Sequence, residues 1–381
     1  MLRSGRDEVA VEPPRVNPER WLRGFRAVRN YFEQKQCLAQ IARETSSILE
    51  AGCYEIPQDG CIEQLPVHEM RENQSKTRMY PDRLTQAALP CASFPRGNPS
   101  KAEVWALDSV EAAGRLQSEG LRPVVLNMAN ASHAGGGFWT GASAQEEDLH
   151  RRSDLYLHLE QNIRSGALRY PIPEFGAVYS VGVRFFRSTR ESGYCPLPVH
   201  RHVVCDVVSA AAYNLGNPRT QAYVHRDPHA TYAVKMKSKI RQILRVGKLG
   251  AAEAGREADA IVLGAFGCGA FRNDPHEVAA LFEEVLMEDS MLGLYKKVVF
   301  AIIDDSNAPA GSGNIKPFMQ QFSSATNSHN GHGARFSSLG HAQPTTQYGK
   351  AQRVAQLHTQ FAPRQQVKAA STTAGDYGRW Y

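Results

Sequence analysis

The stretch Asn127–Tyr156, NMANASHAGGGFWTGASAQEEDLHRRSDLY, contains the pattern that decides the fold. It follows an apolar run at Pro123–Leu126 that is typical of a strand, turns through three glycines, and reaches Gln145-Glu146-Glu147 where a helical pattern begins. Glycine lets a backbone approach a ligand closely, with amides free to bind anionic oxygens. Adjacent carboxylates can supply acid–base chemistry. The pattern therefore predicts a site that holds a phosphate-bearing substrate and breaks a bond in it.

Strand and helix patterns alternate around this stretch. The predicted strands are 123–128, 177–186, 202–210, 260–265 and 297–303, and the predicted helices between them are 109–119, 148–165, 228–246 and 273–287. Such alternation predicts an α/β domain with helices on both faces of a sheet. In these sheets ligands collect beyond the carboxyl ends of the strands, where both glycine-rich loops of this chain, after 128 and after 263, are expected.

The regions outside that core have their own patterns. A helical pattern covers Pro18–Ala51, and Gly52 is expected to cap its end. After about residue 320 Ser, Thr, Gln, His, Gly and Ala dominate and no period holds, which is typical of disorder. The predicted organisation is a flexible N-terminus (1–17), an N-terminal helical accessory region of the catalytic unit (18–106), a catalytic core (107–319) and a disordered, low-complexity basic tail (320–381).

Composition narrows the function classes. The 381 residues carry a net charge of +6, but without residues 321–381 there remain 38 basic and 37 acidic residues. The basic charge therefore belongs to the tail, and direct nucleic-acid binding is not expected elsewhere. No apolar run reaches membrane-spanning length, and the charged N-terminus does not resemble a secretory signal. Seven cysteines, an odd number, favour free thiols in a reducing compartment, so we expect an intracellular protein, cytoplasmic or nuclear.

A second glycine-rich loop, Gly264–Asn273, reads GAFGCGAFRN and lies between a predicted strand and a predicted helix. Asn273 or Asp274 is expected to cap that helix, with Pro275 at its first position. Amides at a helix start suit a pyrophosphate. Phe271, past the last glycine, is placed to stack on a ribose or a base.

Two motifs also have simpler interpretations. Acids in the first turn of a helix meet its dipole favourably and need no other purpose. The dipole lowers a carboxyl pKa, whereas a general acid needs it raised, and burial acts in that direction. The group Cys195, His200, His202 and Cys205 fits no common zinc spacing, and we expect these residues to be structural.

The chain resembles the poly(ADP-ribose) glycohydrolases, whose signature is GGG, seven residues, then QEE. The resemblance is to their microbial-type branch, bacterial and fungal, which has a macrodomain fold. It extends over roughly residues 20–320 and includes IARETSSIL followed by GCYEI, then VYSVGVRFFR, GAFGCGAFRNDP and IIDDSNAPAGSGNIKPF. Two departures are His150, where a Cys is common, and Ala211–Asn214, AAYN, in place of Ala-Pro-Asn.

The resemblance implies a macrodomain-like mixed sheet flanked by helices, with an N-terminal helical extension. It also implies hydrolysis of ribose–ribose O-glycosidic bonds, with Glu147 as general acid and Glu146 holding ribose hydroxyls. Gln145 would support them, and no cofactor or metal is expected. The remaining implied substrate contacts are the diphosphate-binding Gly135, Gly136, Gly137, Gly267, Cys268 and Gly269, and the ribose-binding Phe271 with Asn127 or Asn130.

The implied partner is poly(ADP-ribose) or an ADP-ribosylated protein, bound by a monomer that does not contact a membrane. Two alternatives use the same pocket: a non-catalytic ADP-ribose reader, and a hydrolase that removes single ADP-ribose units from proteins. A reader has no need of the second glutamate. A nucleic-acid-binding protein driven by the basic tail is a third alternative, and its binding would be salt-sensitive and lost with the tail.

Overall fold

The structure, a computed structural model, describes residues 13–14, 16–85, 101–227, 229–304 and 313–324. Its helices are α1 (Pro18–Ala27), α2 (Tyr31–Ala51), α3 (Val67–Ser75), α4 (Ser109–Ser118), α5 (Gln145–Arg152), α6 (Leu155–Arg164), α7 (Pro218–Val224), α8 (Tyr232–Glu253), α9 (Pro275–Leu286) and α10 (Ile315–Ser324). Its strands are β1 (Cys53–Glu55), β2 (Ile62–Gln64), β3 (Arg78–Tyr80), β4 (Lys101–Trp105), β5 (Pro123–Met128), β6 (Ala177–Phe185), β7 (Val203–Ala210), β8 (Ala260–Leu263) and β9 (Lys297–Ala301).

Seven strands form a mixed sheet in the order β3-β6-β7-β5-β8-β9-β4. Strands β7, β5, β8, β9 and β4 run parallel to one another, whereas β6 is antiparallel to both β3 and β7. Strands β1 and β2 pair separately as an antiparallel ribbon. The edge strands β3 and β4 come from the predicted accessory region, 18–106, so that region contributes to the same sheet as the core.

Alternating side chains bury both faces of the sheet, as the sequence predicts. In β8, Ile261 and Leu263 pack with α8 and α9, while Ala260 and Val262 pack with α4 on the opposite face. A strand that is buried on both faces needs apolar residues throughout, which is why β8, Ala260–Leu263, carries no polar residue. The predicted α/β class with helices on both faces is confirmed.

The parallel strands fix where a site can form. Strands β7, β5, β8 and β9 run in the same direction, so their carboxyl ends, Ala210, Met128, Leu263 and Ala301, lie at one edge of the sheet. Both glycine-rich loops follow strands at this edge, as the sequence predicts.

Helix α2 packs against α5, the helix whose first turn carries the two glutamates. The Thr45 hydroxyl on α2 donates to the Arg151 carbonyl (2.6 Å) and accepts from the Arg187 guanidinium (2.9 Å). Arg187 also pairs with Glu44 (3.2 Å) and is almost fully buried. The N-terminal extension therefore positions α5.

Three predicted helices differ from the structure. The pattern over 18–51 forms two helices, because the Asn30 side chain caps a new start by accepting from the Phe32 amide (2.8 Å). The predicted helix 148–165 also forms two helices, α5 and α6, because Ser153 between them is extended and pairs with Phe185 of β6. Asp154 completes this break by accepting from the Arg184 amide (2.8 Å).

Helix α8 is longer than predicted. The predicted helix ended at Val246, before Gly247 and Gly250, and glycine in general disfavours a helix interior. Both glycines instead lie inside the helix against the sheet: a Cβ at Gly250 would lie 2.4 Å from the ring of Tyr179. Close packing against the sheet therefore outweighs helix propensity.

The chain ends are described only in part. The predicted flexible N-terminus lies almost entirely outside the described residues, as does the predicted tail beyond Ser324. The tail was predicted to begin at residue 320, but α10 continues to Ser324. Among the described helices, none combines the length and the apolar character needed to span a bilayer.

The loop between β5 and α5, residues 129–144, is termed the catalytic loop. Gly141 provides a test of the contact between this loop and α2. It has φ +81°, and a Cβ there would lie 1.9 Å from the Lys35 carbonyl oxygen. We expect Gly141→Ala to lower the free energy of unfolding by about 2–5 kcal/mol, through left-handed backbone strain and overpacking. Urea unfolding at 25 °C measures this loss.

Gly120→Ala is the matched control. Gly120 has φ +79° but no atom within 4 Å of the added Cβ, so only the backbone strain, about 1–2 kcal/mol, is expected. Equal losses in the two variants would contradict the packing of the loop against α2.

Candidate active site

A cleft of about 230 Å³ lies at the carboxyl edge of the sheet. Its walls come from the end of β5, the start of α5, the loop after β8 and the end of β9, and include Met128, Gln145, Gly267, Gly269, Phe271 and Ile302. Neither the triple glycine nor the two glutamates belong to these walls. The cleft therefore lies beside the glutamates, and Gln145 is the residue of the QEE motif that faces it.

Gln145 fixes the start of α5 to the sheet. Its side-chain oxygen accepts from the Met128 amide (2.9 Å), and its side-chain nitrogen donates to the Leu126 carbonyl (2.7 Å) and the Ser109 hydroxyl (3.2 Å). A carboxylate could not donate the last two bonds, which explains why an amide precedes the two acids.

Backbone amides hold both glutamates. The Glu146 carboxyl accepts from the amides of Asn130 (2.7 Å) and Gly135 (3.1 Å), and Glu147 Oε1 accepts from the Gly137 amide (2.9 Å). Both glutamate side chains are buried. The second Glu147 oxygen, Oε2, is buried and makes no hydrogen bond within the described part of the chain.

Gly136 lies between the two carboxyls. A Cβ there would lie 2.4 Å from Glu147 Oε1 and 2.9 Å from Glu146 Oε2, and its φ is +56°. Any side chain would displace one carboxyl and strain the backbone. The middle glycine is therefore required by the convergence of the two acids.

This geometry differs from the phosphate cradle expected at the triple glycine. The Gly136 amide donates to the His133 carbonyl (3.0 Å), and the Gly135 and Gly137 amides donate to the glutamates. All three amides are thus engaged within the protein, because the nearest anionic acceptors are the two carboxyls themselves. The amides predicted to be free hold the acids.

Burial raises the pKa of Glu146 to about 8. The amides of Asn130 and Gly135 and the Asn127 side chain lower it, and the neighbouring Glu147 raises it. Burial exceeds the lowering contributions, so a proton on Glu146 is favoured at neutral pH.

His150 lies beneath the loop and is fully buried, which lowers its pKa to about 4. Its Nδ1 is 2.7 Å from the Glu146 carbonyl oxygen, which only accepts, so Nδ1 carries the proton of the neutral ring. The ring also lies near Phe138, with centroids 5.4 Å apart. His150, which stands where the family commonly has Cys, therefore packs against the catalytic loop.

Buried charges anchor the second turn of α5. Arg152 pairs with Asp108 and Asp148, each at 3.1 Å, and Asp148 also accepts from the Tyr194 hydroxyl (2.7 Å). Burial raises the pKa of Asp148, but Arg152 and Arg151 outweigh that effect and hold it below its usual value. Removing one partner would leave a buried charge uncompensated, so this network holds the helix in place.

Asn273 shapes the second glycine-rich loop. Its side-chain nitrogen donates to the carbonyls of Gly267 and Tyr213 (2.8 Å each), and its oxygen accepts from the Tyr232 hydroxyl (2.7 Å). The helix cap, left open between Asn273 and Asp274, is Asp274, which accepts from the His276 amide (2.9 Å). The AAYN departure contacts this loop, because its Tyr213 carbonyl accepts one of these bonds.

The other predicted site residues have distinct positions. Cys268 is buried, which raises the pKa of its thiol, and it does not reach the cleft wall. Asn127 is buried and donates to the Ser209 hydroxyl (3.0 Å). The Asn130 side-chain oxygen accepts from the amides of Ser132 and His133, so it shapes its own turn.

Among the described residues, no three His, Cys, Asp or Glu side chains form a group able to hold a metal ion. His202, from the zinc-like spacing, lies 2.7 Å from the Tyr54 hydroxyl and 2.9 Å from the Leu197 carbonyl.

Sequence reasoning missed Asp108 and Tyr194, because an acid and a tyrosine far from α5 in sequence carry no local signal of contact with it.

The chain is similar to known proteins of one kind. A sequence model of the microbial-type PARG catalytic domain matches residues 42–188. A search of curated proteins gave no significant match. Poly(ADP-ribose) glycohydrolase (PARG) from Thermomonospora curvata is 29% identical with a TM-score of 0.59, over 75% of this chain and 99% of that chain.

The T. curvata protein bound to the inhibitor ADP-HPD gives 29% identity and a TM-score of 0.58, with the same coverage. PARG from Deinococcus radiodurans in complex with ADP-ribose gives 28% identity and a TM-score of 0.51, over 69% of this chain and 99% of that chain. The chain, with its GGG–QEE loop folded around two buried glutamates, is thus similar to the microbial-type PARG catalytic domain over residues 42–188 and to the bacterial PARG structures over most of its length.

Proposed function

We propose that this protein hydrolyses the ribose–ribose O-glycosidic bonds of poly(ADP-ribose) and releases ADP-ribose. The observation that carries the proposal is the pair of buried carboxyls that converge on Gly136 beside a cleft. A reader module needs a cleft and one polar anchor for the ribose. It does not need a second buried carboxyl with one oxygen that has no hydrogen-bond partner among the described residues.

Glu147 acts as the general acid. The Gly137 amide fixes Oε1, so Oε2 is the oxygen available to the substrate. The carboxyl donates its proton to the leaving ribose oxygen as the bond from that oxygen to the anomeric carbon breaks, which leaves an oxocarbenium-like centre. Water then adds to the anomeric carbon and returns a proton to the Glu147 carboxylate, so the enzyme is regenerated.

Glu146 and Asn127 hold the ribose that is attacked. The Glu146 carboxyl is fixed by two amides, and the buried Asn127 side chain lies close enough to lower its pKa. Gly267, Gly269 and Phe271 line the cleft, where they contact the diphosphate and the ribose next to it. Neighbouring acids on one helix cannot face each other across a bond, so this arrangement differs from the usual pair of glycosidase carboxylates.

The polymer is the proposed substrate, and the test compares it with a protein that carries single ADP-ribose units. Release of free ADP-ribose from purified poly(ADP-ribose) is the expected result. Release only from the mono-modified protein would replace the proposal with the mono-ADP-ribosyl hydrolase. Binding without release from either substrate would make the protein a reader.

Glu147→Gln tests the acid. Glutamine keeps an oxygen for the Gly137 amide but cannot give up a proton, so we expect kcat on poly(ADP-ribose) to fall by about 100- to 10,000-fold. Affinity for ADP-ribose, measured by calorimetry, should stay within about threefold, because the hydrogen bond to Gly137 remains.

Glu160→Gln is the matched control. Glu160 lies on α6 and pairs with Arg164 (2.8 Å) at the surface, so the same chemical change should leave kcat unaltered. Turnover by Glu147→Gln at the wild-type rate would refute the proposed mechanism.

Glu146→Gln tests the buried proton. Burial raises the folded-state pKa of Glu146 from 4.5 to about 8. The contribution of Glu146 to wild-type stability is therefore complete below about pH 4.5 and is lost as the pH rises towards 8. The variant lacks this loss. Its free energy of unfolding relative to wild type should rise by roughly 3 kcal/mol between pH 4.5 and pH 7.

Urea unfolding from about pH 3 to pH 7 measures the difference, and a constant offset above pH 4.5 would mean that Glu146 titrates normally. Glu72→Gln is the control of opposite sign. Lys76 lowers the pKa of Glu72, so that variant should lose relative stability as the pH rises towards 4.5.

A further inference from the structure

Tyr170 brings an unused hydrogen-bond donor to the neighbourhood of the active site. Its hydroxyl is buried and makes no hydrogen bond within the described ranges, although its ring is only partly covered. Buried tyrosine hydroxyls normally find a partner, because leaving one unpaired costs free energy. An unpaired hydroxyl beside a binding site is therefore expected to meet a ligand.

The segment that carries Tyr170 packs against the catalytic loop. The Ile172 amide donates to the Ala131 carbonyl (2.7 Å), which ties this segment to the turn after β5. Tyr170 and Ala134 pack against one apolar cluster that includes Ala129. Ala129 and Ala134 directly precede Asn130 and Gly135, whose amides hold Glu146.

The electrostatics agree with this placement. Burial raises the pKa of the Tyr170 phenol, and negative charge on Glu146 raises it further. The phenol therefore keeps its proton and remains a donor at neutral pH. Asn127, whose side chain also lies close to Glu146, has a buried side-chain oxygen without a hydrogen bond to any described residue. Tyr170 thus supplies an unmatched donor and Asn127 an unmatched acceptor.

We propose that Tyr170 is a specificity-determining residue that donates a hydrogen bond to a hydroxyl of the ADP-ribose ribose held by Glu146. A ribose hydroxyl donates one hydrogen bond and accepts others, so it satisfies Asn127 Oδ1 and Tyr170 together. The assignment rests on the proposed function, because Glu146 holds that ribose only if the protein binds ADP-ribose. Tyr170 then favours ligands that carry this second ribose over those that end at the diphosphate.

The test uses Tyr170→Phe in the full chain, with ADP-ribose and ADP as probes. ADP lacks the second ribose, so the variant should lose about three- to tenfold in affinity for ADP-ribose and none for ADP. Its urea midpoint should equal or exceed that of wild type, because removing an unpaired buried hydroxyl costs no hydrogen bond. Unchanged ADP-ribose affinity, an equal loss for both ligands, or a destabilised variant would each overturn the assignment.

Tyr54→Phe is the matched control. The Tyr54 hydroxyl donates to the Leu197 carbonyl (2.6 Å), so its removal should lower stability and leave both affinities unchanged. The proposed function fails separately: wild type that binds ADP-ribose but releases none from polymer refutes hydrolysis, and the affinities still decide the role of Tyr170. Wild-type hydrolysis with unchanged affinities in Tyr170→Phe refutes the Tyr170 assignment alone.

Discussion

The active site depends on the hydrogen bonds between the glycine-loop amides and the two glutamate carboxyls. Gly135 and Gly137 each give an amide to one acid, and Gly136 leaves the space in which the acids converge. The loop folds around the first turn of α5, so its conformation and the positions of the acids are fixed together. Mobile carboxylates would repel each other and seek water, whereas amide-bound ones remain buried.

Support for this arrangement comes from far along the chain. The side chain of Gln145 bonds to β5, Thr45 on α2 bonds to the backbone of α5, and Arg152 pairs with Asp108 ahead of α4. These partners come from the sheet, from the N-terminal extension and from the residue that precedes α4. Helix α2 therefore holds the backbone of the helix that carries both acids.

The sequence predicted what depends on local pattern and missed what depends on tertiary pairing. Strand β5 was located to the residue, because an apolar run followed by glycines is a local signal. The break after Arg152 was missed, because Ser153 leaves the helix to pair with Phe185, which lies on a strand some thirty residues later. The triple glycine was predicted to approach a phosphate-bearing ligand, but the Gly135 and Gly137 amides bind the glutamates, and the sequence alone does not rank a carboxyl above a phosphate. Tyr170 went unnoticed because its importance lies in a buried hydroxyl, which no spacing reveals.

Two opposing effects act on the acids at the start of α5, and their sizes decide the outcome for Glu146. The helix dipole favours a charged carboxylate there by about 0.3–1 kcal/mol. A pKa raised from 4.5 to about 8 corresponds to a net preference for the neutral form of roughly 5 kcal/mol, so burial dominates. A neutral Glu146 removes like-charge repulsion from its neighbour, so the pair carries at most one negative charge at neutral pH. That limit suits a site whose substrate has a negatively charged diphosphate, since a doubly charged pair would repel the ligand it must hold.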